Sequence, residues 1–201
     1  MAMEDADQEA LGSADESREP SLEDLAELCR HLNEAEARYI VVGGFAIMQA
    51  GYPRRTMDID LLVETTLENE AKLKSALMAL PDQAIRDLNP GELNELGVIR
   101  VADEFVVDLM KSGCGVDYAS AVKDAVWREV LGVRIPFASK ATLWRMKQTV
   151  REKDAPDRLF LRQSLKEEGI EVDDQLRSVI DPPAVPRWLM KLLRILFPPK
   201  N

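Results

Sequence analysis

The chain has 201 residues, 46% of them hydrophobic, and a formal net charge of −10. That length and apolar content suit one domain with a substantial core, and the acidity argues against a protein that coats nucleic acid through a general basic surface. The charge is unevenly placed: residues 1–27 hold ten carboxylates against the single base Arg18, residues 28–181 carry −5, and after Asp181 come four bases and no acid.

Residues 1–20 are acidic and poor in large apolar side chains. Such a segment cannot bury enough surface to offset its ordering entropy, so it reads as a disordered head. It lacks the basic start and apolar run of a signal peptide. No stretch reaches the roughly 18 apolar residues of a membrane span. Cys29 and Cys114 lie far apart without metal-ligand spacing, which fits a reducing, cytoplasmic setting.

Ser21 followed by Asp24 resembles a capping box, and Leu22, Leu25, Leu28 and Leu32 then recur at helical spacing, predicting a helix to about Ala37. Tyr39-Ile40-Val41-Val42 reads as a buried strand ended by Gly43-Gly44, with a short helix over Phe45 to Ala50 and a turn at Gly51-Tyr52-Pro53. Asp58 to Val63 is the next strand. Leu67 to Leu80 reads as a helix stopped by Pro81, and Asn89-Pro90-Gly91 as a turn. Val98–Val101 and Glu104–Met110 read as a hairpin, Ala119–Ala125 as a short helix, and Glu129-Val130 with Arg134–Phe137 as a second hairpin about Gly132. Ser139 caps a long helix to about Lys153 that Pro156 breaks. Helices over Asp157–Glu168 and Asp174–Ile180 follow. The order predicts a mixed α/β (α+β) core over 21–138, a helical subdomain over 139–180, and a proline-rich linker with a basic tail over 181–201.

The sharpest chemical signal is Asp58-Ile59-Asp60-Leu61-Leu62-Val63. Strand alternation puts Ile59, Leu61 and Val63 on one face and Asp58 and Asp60 together on the other, roughly 7 Å apart at ~3.3 Å per residue. Two like charges on an apolar strand call for solvent or a neutraliser, and carboxylate oxygens suit Mg²⁺, or Mn²⁺ in its place. Asp108 is a lone charge in the apolar run Phe105–Met110. On a neighbouring strand it would complete a three-carboxylate site able to hold two metal ions. A lone Asp-x-Asp equally fits strand ends facing water. Gly43-Gly44 between strand and helix permits close approach of a phosphate to the backbone, and equally fits a simple turn.

Val42-Gly43-Gly44-Phe45-Ala46, followed by Gly51-Tyr52-Pro53-Arg54-Arg55-Thr56-Met57-Asp58-Ile59-Asp60, resembles the minimal nucleotidyltransferase superfamily with the DNA polymerase β-like fold. The nearest flavour is the bacterial abortive-infection and toxin–antitoxin group. The resemblance covers about residues 22–168. It implies a mixed sheet flanked by helices. It also implies transfer of an NMP group from an NTP to an acceptor hydroxyl on RNA, protein or a small molecule, with release of pyrophosphate. Asp58, Asp60 and Asp108 would then bind the metal, and Asp108 would accept the acceptor's proton. Gly43 and Gly44 would hold the triphosphate, and Arg54 and Thr56 would orient the site. An antitoxin or a second copy of the chain would be the partner.

Residues 140–162 hold seven bases and three acids. On a continuous helix Lys140, Trp144, Lys147 and Arg151 share one stripe. Lys147 and Arg151, with Lys140 as a further candidate, would contact nucleotide phosphates. A solvated face with internal ion pairs is the plainer reading. The run Ser139…Lys147…Arg151-x-Lys153-Asp154-x-x-Asp157 is also similar to the C-terminal signature of the same bacterial group, with Asp154 and Asp157 orienting basic partners. His31, the only histidine, reads as structural. Arg187–Phe197 forms a basic amphipathic segment that would dock on the body or a second subunit, bind a partner, or touch an anionic membrane surface. Three rival readings stand beside the enzyme: a non-catalytic nucleotide- or partner-binding relative, an Asp-x-Asp glycosyltransferase, and a tethering protein acting through its tail.

Overall fold

The computed structural model describes residues 17–172. The acidic segment 1–16, the helix read at 174–180, the linker and the basic tail lie outside the described residues. In chain order the elements are α1 (Leu22–Glu34), β1 (Tyr39–Val41), α2 (Gly43–Gln49), β2 (Asp58–Val63), α3 (Leu67–Leu77), α4 (Glu92–Leu96), β3 (Val98–Ala102), β4 (Val106–Met110), β5 (Ser112–Gly113), β6 (Val116–Asp117), α5 (Tyr118–Ala121), β7 (Val126–Val130), β8 (Val133–Phe137), α6 (Lys140–Met146) and α7 (Ala155–Glu167). The fold is mixed α/β, as expected: a six-stranded sheet in the order β3-β4-β2-β1-β8-β7, flanked by helices and followed by the helical pair α6 and α7. The pairs β2·β4 and β1·β8 are parallel and the other three are antiparallel.

The capping box at Ser21 forms: its hydroxyl accepts from the Asp24 N–H, and its own N–H donates to the Asp24 carboxylate. Leu25, Leu28, Cys29 and Leu32 of α1 are buried, while Leu22 is exposed at the helix start. Burial of each such leucine contributes roughly 1.5–3 kcal/mol. The helix packs on α3 and β8. Residues 17–20, read as the end of a disordered head, lie along the body instead. The Arg18 N–H donates to the Glu104 carbonyl, and the Arg18 guanidinium grips Asp24 through two hydrogen bonds of 2.6 and 2.7 Å.

Strand β2 spans Asp58–Val63 as predicted, with Ile59, Leu61, Leu62 and Val63 fully buried. The 98–110 hairpin forms in antiparallel register, with Arg100 opposite Asp108. Two local readings are corrected. Helix α2 begins at Gly43 rather than after the glycine pair, with Val42 as its N-cap. The single helix expected over 139–153 is two pieces. α6 ends at Met146, and Pro156 sits in the first turn of α7, where its missing N–H costs nothing. The reason for the early end is tertiary. The Arg158 guanidinium donates to the Lys147 and Thr149 carbonyls (3.3 and 2.9 Å), which a continuing helix would need for its own N–H groups. The Thr149 hydroxyl donates to Asp154 instead of facing solvent.

Candidate active site

The parallel register of β2 and β4 sets Asp60 directly opposite Asp108, with Asp58 two residues back on the same face of β2. One carboxylate oxygen from each of Asp58, Asp60 and Asp108 lies within 4.8 Å of the other two. The three aspartates picked from sequence therefore converge. Burial pushes the Asp60 carboxyl up to about 6, helped by the charges of Asp58 and Asp108; Lys147 and the Gly44 N–H oppose the rise. Burial likewise raises Asp108, with Arg100 and Lys153 opposing and Asp58 adding to the rise. Oδ1 of Asp108 is shielded from solvent and has no hydrogen-bond partner among the described residues. A cluster of hard oxygens with an unsatisfied acceptor and mutually repelling charges fits a divalent cation such as Mg²⁺.

The glycine pair is required by this cluster. Gly43 has φ +60°, and a Cβ there would overlap the Asp60 carboxylate. A Cβ on Gly44 would overlap Thr56, lying 2.5 Å from its Cβ. The end of β1 and the start of α2 thus press bare backbone onto the carboxylates. Thr56 is buried, and its hydroxyl contacts the Asp58 carbonyl (3.2 Å) and carboxylate (3.3 Å), steadying the first aspartate from behind.

Basic side chains approach from a different quarter. Lys147 caps the end of α6, and its ammonium lies 2.8 Å from Asp154 and 3.0 Å from Asp157. Arg151 pairs with Asp154 at 3.2 Å and is largely exposed. Arg54 donates to Asp157 at 2.6 Å. Burial alone would raise the Asp154 carboxyl, but hydrogen bonds from Lys147 and Thr149 and the charges of Lys147 and Arg151 hold it below the usual carboxylate range. Asp154 and Asp157 pair with basic side chains, as the sequence reading expected. Lys140 does not join this group: its ammonium is bound to Ser164 of α7 and to Glu168 at the C-cap of that helix. Trp144 is buried, so the stripe expected on a continuous helix does not exist.

A cleft of about 420 Å³ is lined by Gly43, Gly44, Arg54, Asp58, Asp60, Asp108, Lys147 and Arg151, together with Arg100, Lys153, Asp154 and residues 112–114 of the β5–β6 hairpin. Thr56 lies behind this wall and faces a second, more apolar cavity. Sequence reasoning missed Arg100 and the hairpin. Arg100 stands 3.5 Å from Asp108 across the β3–β4 register. The signal for it was available: a hairpin folded about position 104 places 100 opposite 108. The β5–β6 hairpin turns at Cys114-Gly115, both with positive φ, and its strands of two residues each carry no period to read.

No helix among the described residues is long and apolar enough to cross a membrane. No family model matches the chain, and no curated protein matches it. Among solved structures, an antigenic nucleotidyltransferase-like protein from Paracoccidioides brasiliensis is similar over 71% of this chain and 75% of that one, at 17% identity and a TM-score of 0.43.

Proposed function

We propose that the chain is a metal-dependent nucleotidyltransferase that moves an NMP group from an NTP to an acceptor hydroxyl. The observation that carries this reading is the convergence of Asp58, Asp60 and Asp108 within 4.8 Å, directly against the side-chain-free backbone of Gly43 and Gly44.

Asp58, Asp60 and Asp108 would hold Mg²⁺. When bound, the ion neutralises triphosphate charge and makes the acceptor hydroxyl easier to deprotonate. Phosphoryl chemistry of this kind asks the protein mainly for positioning and fixed charge. The missing side chains of Gly43 and Gly44 let Asp60 and Thr56 pack directly on the backbone at the start of α2, beside which the triphosphate would bind. Arg54, Lys147 and Arg151 face it with positive charge. Thr56 keeps Asp58 oriented. Asp108, on the β3 side of the cluster and with a raised pKa, accepts the proton as the acceptor oxygen bonds to the α-phosphorus and the bond to pyrophosphate breaks.

The test is incubation of the full-length protein with each labelled NTP, Mg²⁺ or Mn²⁺, and acceptors drawn from total tRNA, cell protein and aminoglycosides. Label transfer in the wild type, abolished by Asp60→Ala with the fold intact, is the expected result. No transfer to any acceptor, together with no binding of metal-NTP, would refute the reading.

A further inference from the structure

Asp157 lies in the first turn of α7 and is 2% exposed. Its Oδ2 receives two cations at once: Arg54 Nη1 at 2.6 Å and Lys147 Nζ at 3.0 Å. Arg54 comes from the loop before β2 and Lys147 from the end of α6, and both line the cleft that holds the three clustered aspartates. A buried carboxylate stripped of either partner is strongly penalised, so Asp157 fixes Arg54 and, together with Asp154 at 2.8 Å, also Lys147, two long side chains from distant parts of the chain. A free Lys or Arg loses rotamer freedom when it grips an anion. Here that loss is already taken before any ligand arrives.

A staple that merely fastens α7 to the body would be redundant. The stacked rings of Tyr52 and Phe160, 5.1 Å apart, already tie α7 to the loop preceding Arg54. Arg158 already ties α7 to the backbone at Lys147 and Thr149. What Asp157 adds is the direction of two positive charges. We propose that Asp157 is a positioning residue that links Arg54 to Lys147 and holds both cations in place for the terminal phosphates of the substrate. The proposal rests on the nucleotidyltransferase reading for the identity of the ligand, while the link itself is a property of the free protein.

The experiment uses full-length wild type, Asp157→Asn and Asp157→Glu, each checked for a cooperative thermal transition above the assay temperature. Arginine-selective modification followed by mass spectrometry reads the link directly, with exposed Arg86 and Arg128 as internal standards. Arg54 should react several-fold faster in Asp157→Asn than in wild type, with Arg86 and Arg128 unchanged. Titration calorimetry with Mg²⁺-tripolyphosphate then reads the purpose. Asp157→Asn should bind at least tenfold more weakly at unchanged stoichiometry, and Asp157→Glu should recover part of the loss. A merely structural role would lower the melting temperature or the active fraction and leave the affinity of the folded fraction alone, which overturns the proposal. Unchanged Arg54 reactivity also overturns it. Wild-type protein that binds no metal-triphosphate, with Arg54 responding as expected, refutes the nucleotide reading and with it the phosphate role given to the link.

Discussion

Replacing Asp60 by Asn should make the metal-free protein more stable and, at the same time, insensitive to Mg²⁺. Asp60 is pushed up to about 6 by burial and by the neighbouring charges of Asp58 and Asp108, against the relief from Lys147 and the Gly44 N–H. Measured from the ordinary 3.8, at about 1.4 kcal/mol per pH unit, keeping Asp60 ionised costs the metal-free fold at most about 3 kcal/mol. Solvent reaches part of the cleft, so a cost of about 1–3 kcal/mol is the working range. Asparagine keeps the shape and an oxygen acceptor for the Gly44 N–H while removing the charge. In chelator near pH ~7.5 its melting temperature should exceed wild type by about 2–10 °C. Because the folded-state value is raised, the penalty is absent below about 4, the unfolded value, and complete above about 6. Wild-type stability therefore falls relative to the variant as pH rises through that window, and the two proteins converge as pH drops to 4. Added Mg²⁺ should raise the wild-type transition by mass action and leave Asp60→Asn in place. A variant that melts below wild type in chelator, or one that gains as much from Mg²⁺, would refute the argument that three unneutralised carboxylates strain this site.

Other outcomes follow from the same geometry. Gly43→Ala puts a Cβ into the Asp60 carboxylate at a φ of +60°, so urea melts should show a loss above about 1–2 kcal/mol from the backbone conformation alone, together with loss of the Mg²⁺-induced gain. Ser21→Ala removes the α1 cap and should cost about 1 kcal/mol in the same melts without touching metal binding. Thiol titration of the native protein should report Cys114, which is exposed. Cys29 is buried, with its thiol pushed up to about 12, and should react only after denaturation.

The parts of the site legible in sequence are those whose cause is local. Period-two alternation is enough to put Asp58 and Asp60 on one face of β2, and a lone charge in Phe105–Met110 is enough to mark Asp108. Gly43-Gly44 announces a close backbone approach, though not that Asp60 and Thr56 are what it approaches. The parts that escaped depend on distant partners. Nothing between 139 and 153 says that the helix stops at Met146, because the groups that stop it, Arg158 and Asp154, belong to the next element. The basic stripe dissolved because the break turns Lys147 inward toward Asp154 and Asp157, while Lys140 at the start of α6 is held by Ser164 and Glu168 and Trp144 is buried. Arg100 was hidden one inference further along, in the register of a hairpin whose strands had been recognised.

Two sets of shielded acids in one cleft region behave in opposite ways, and the difference locates the chemistry. Asp154 and Asp157 are 1% and 2% exposed, yet ammonium and guanidinium groups lie within 2.6–3.2 Å of them, and Asp154 is held below its usual range. Asp58, Asp60 and Asp108 sit close enough to share a ligand, but among the described residues the one cation in an ion pair with them, Arg100, stands 3.5 Å from Asp108 alone, and Asp60 and Asp108 are pushed upward. A fold that could satisfy one set of acids with lysine and arginine leaves the other short of positive charge while keeping glycine, rather than a bulkier residue, against it. Among the described residues no further ion pair supplies that charge, and on the proposed reading a divalent cation carrying a polyphosphate would meet the need with a single ligand. Arg54, Lys147 and Arg151, which line the same cleft, would then be the groups that meet the phosphate oxygens.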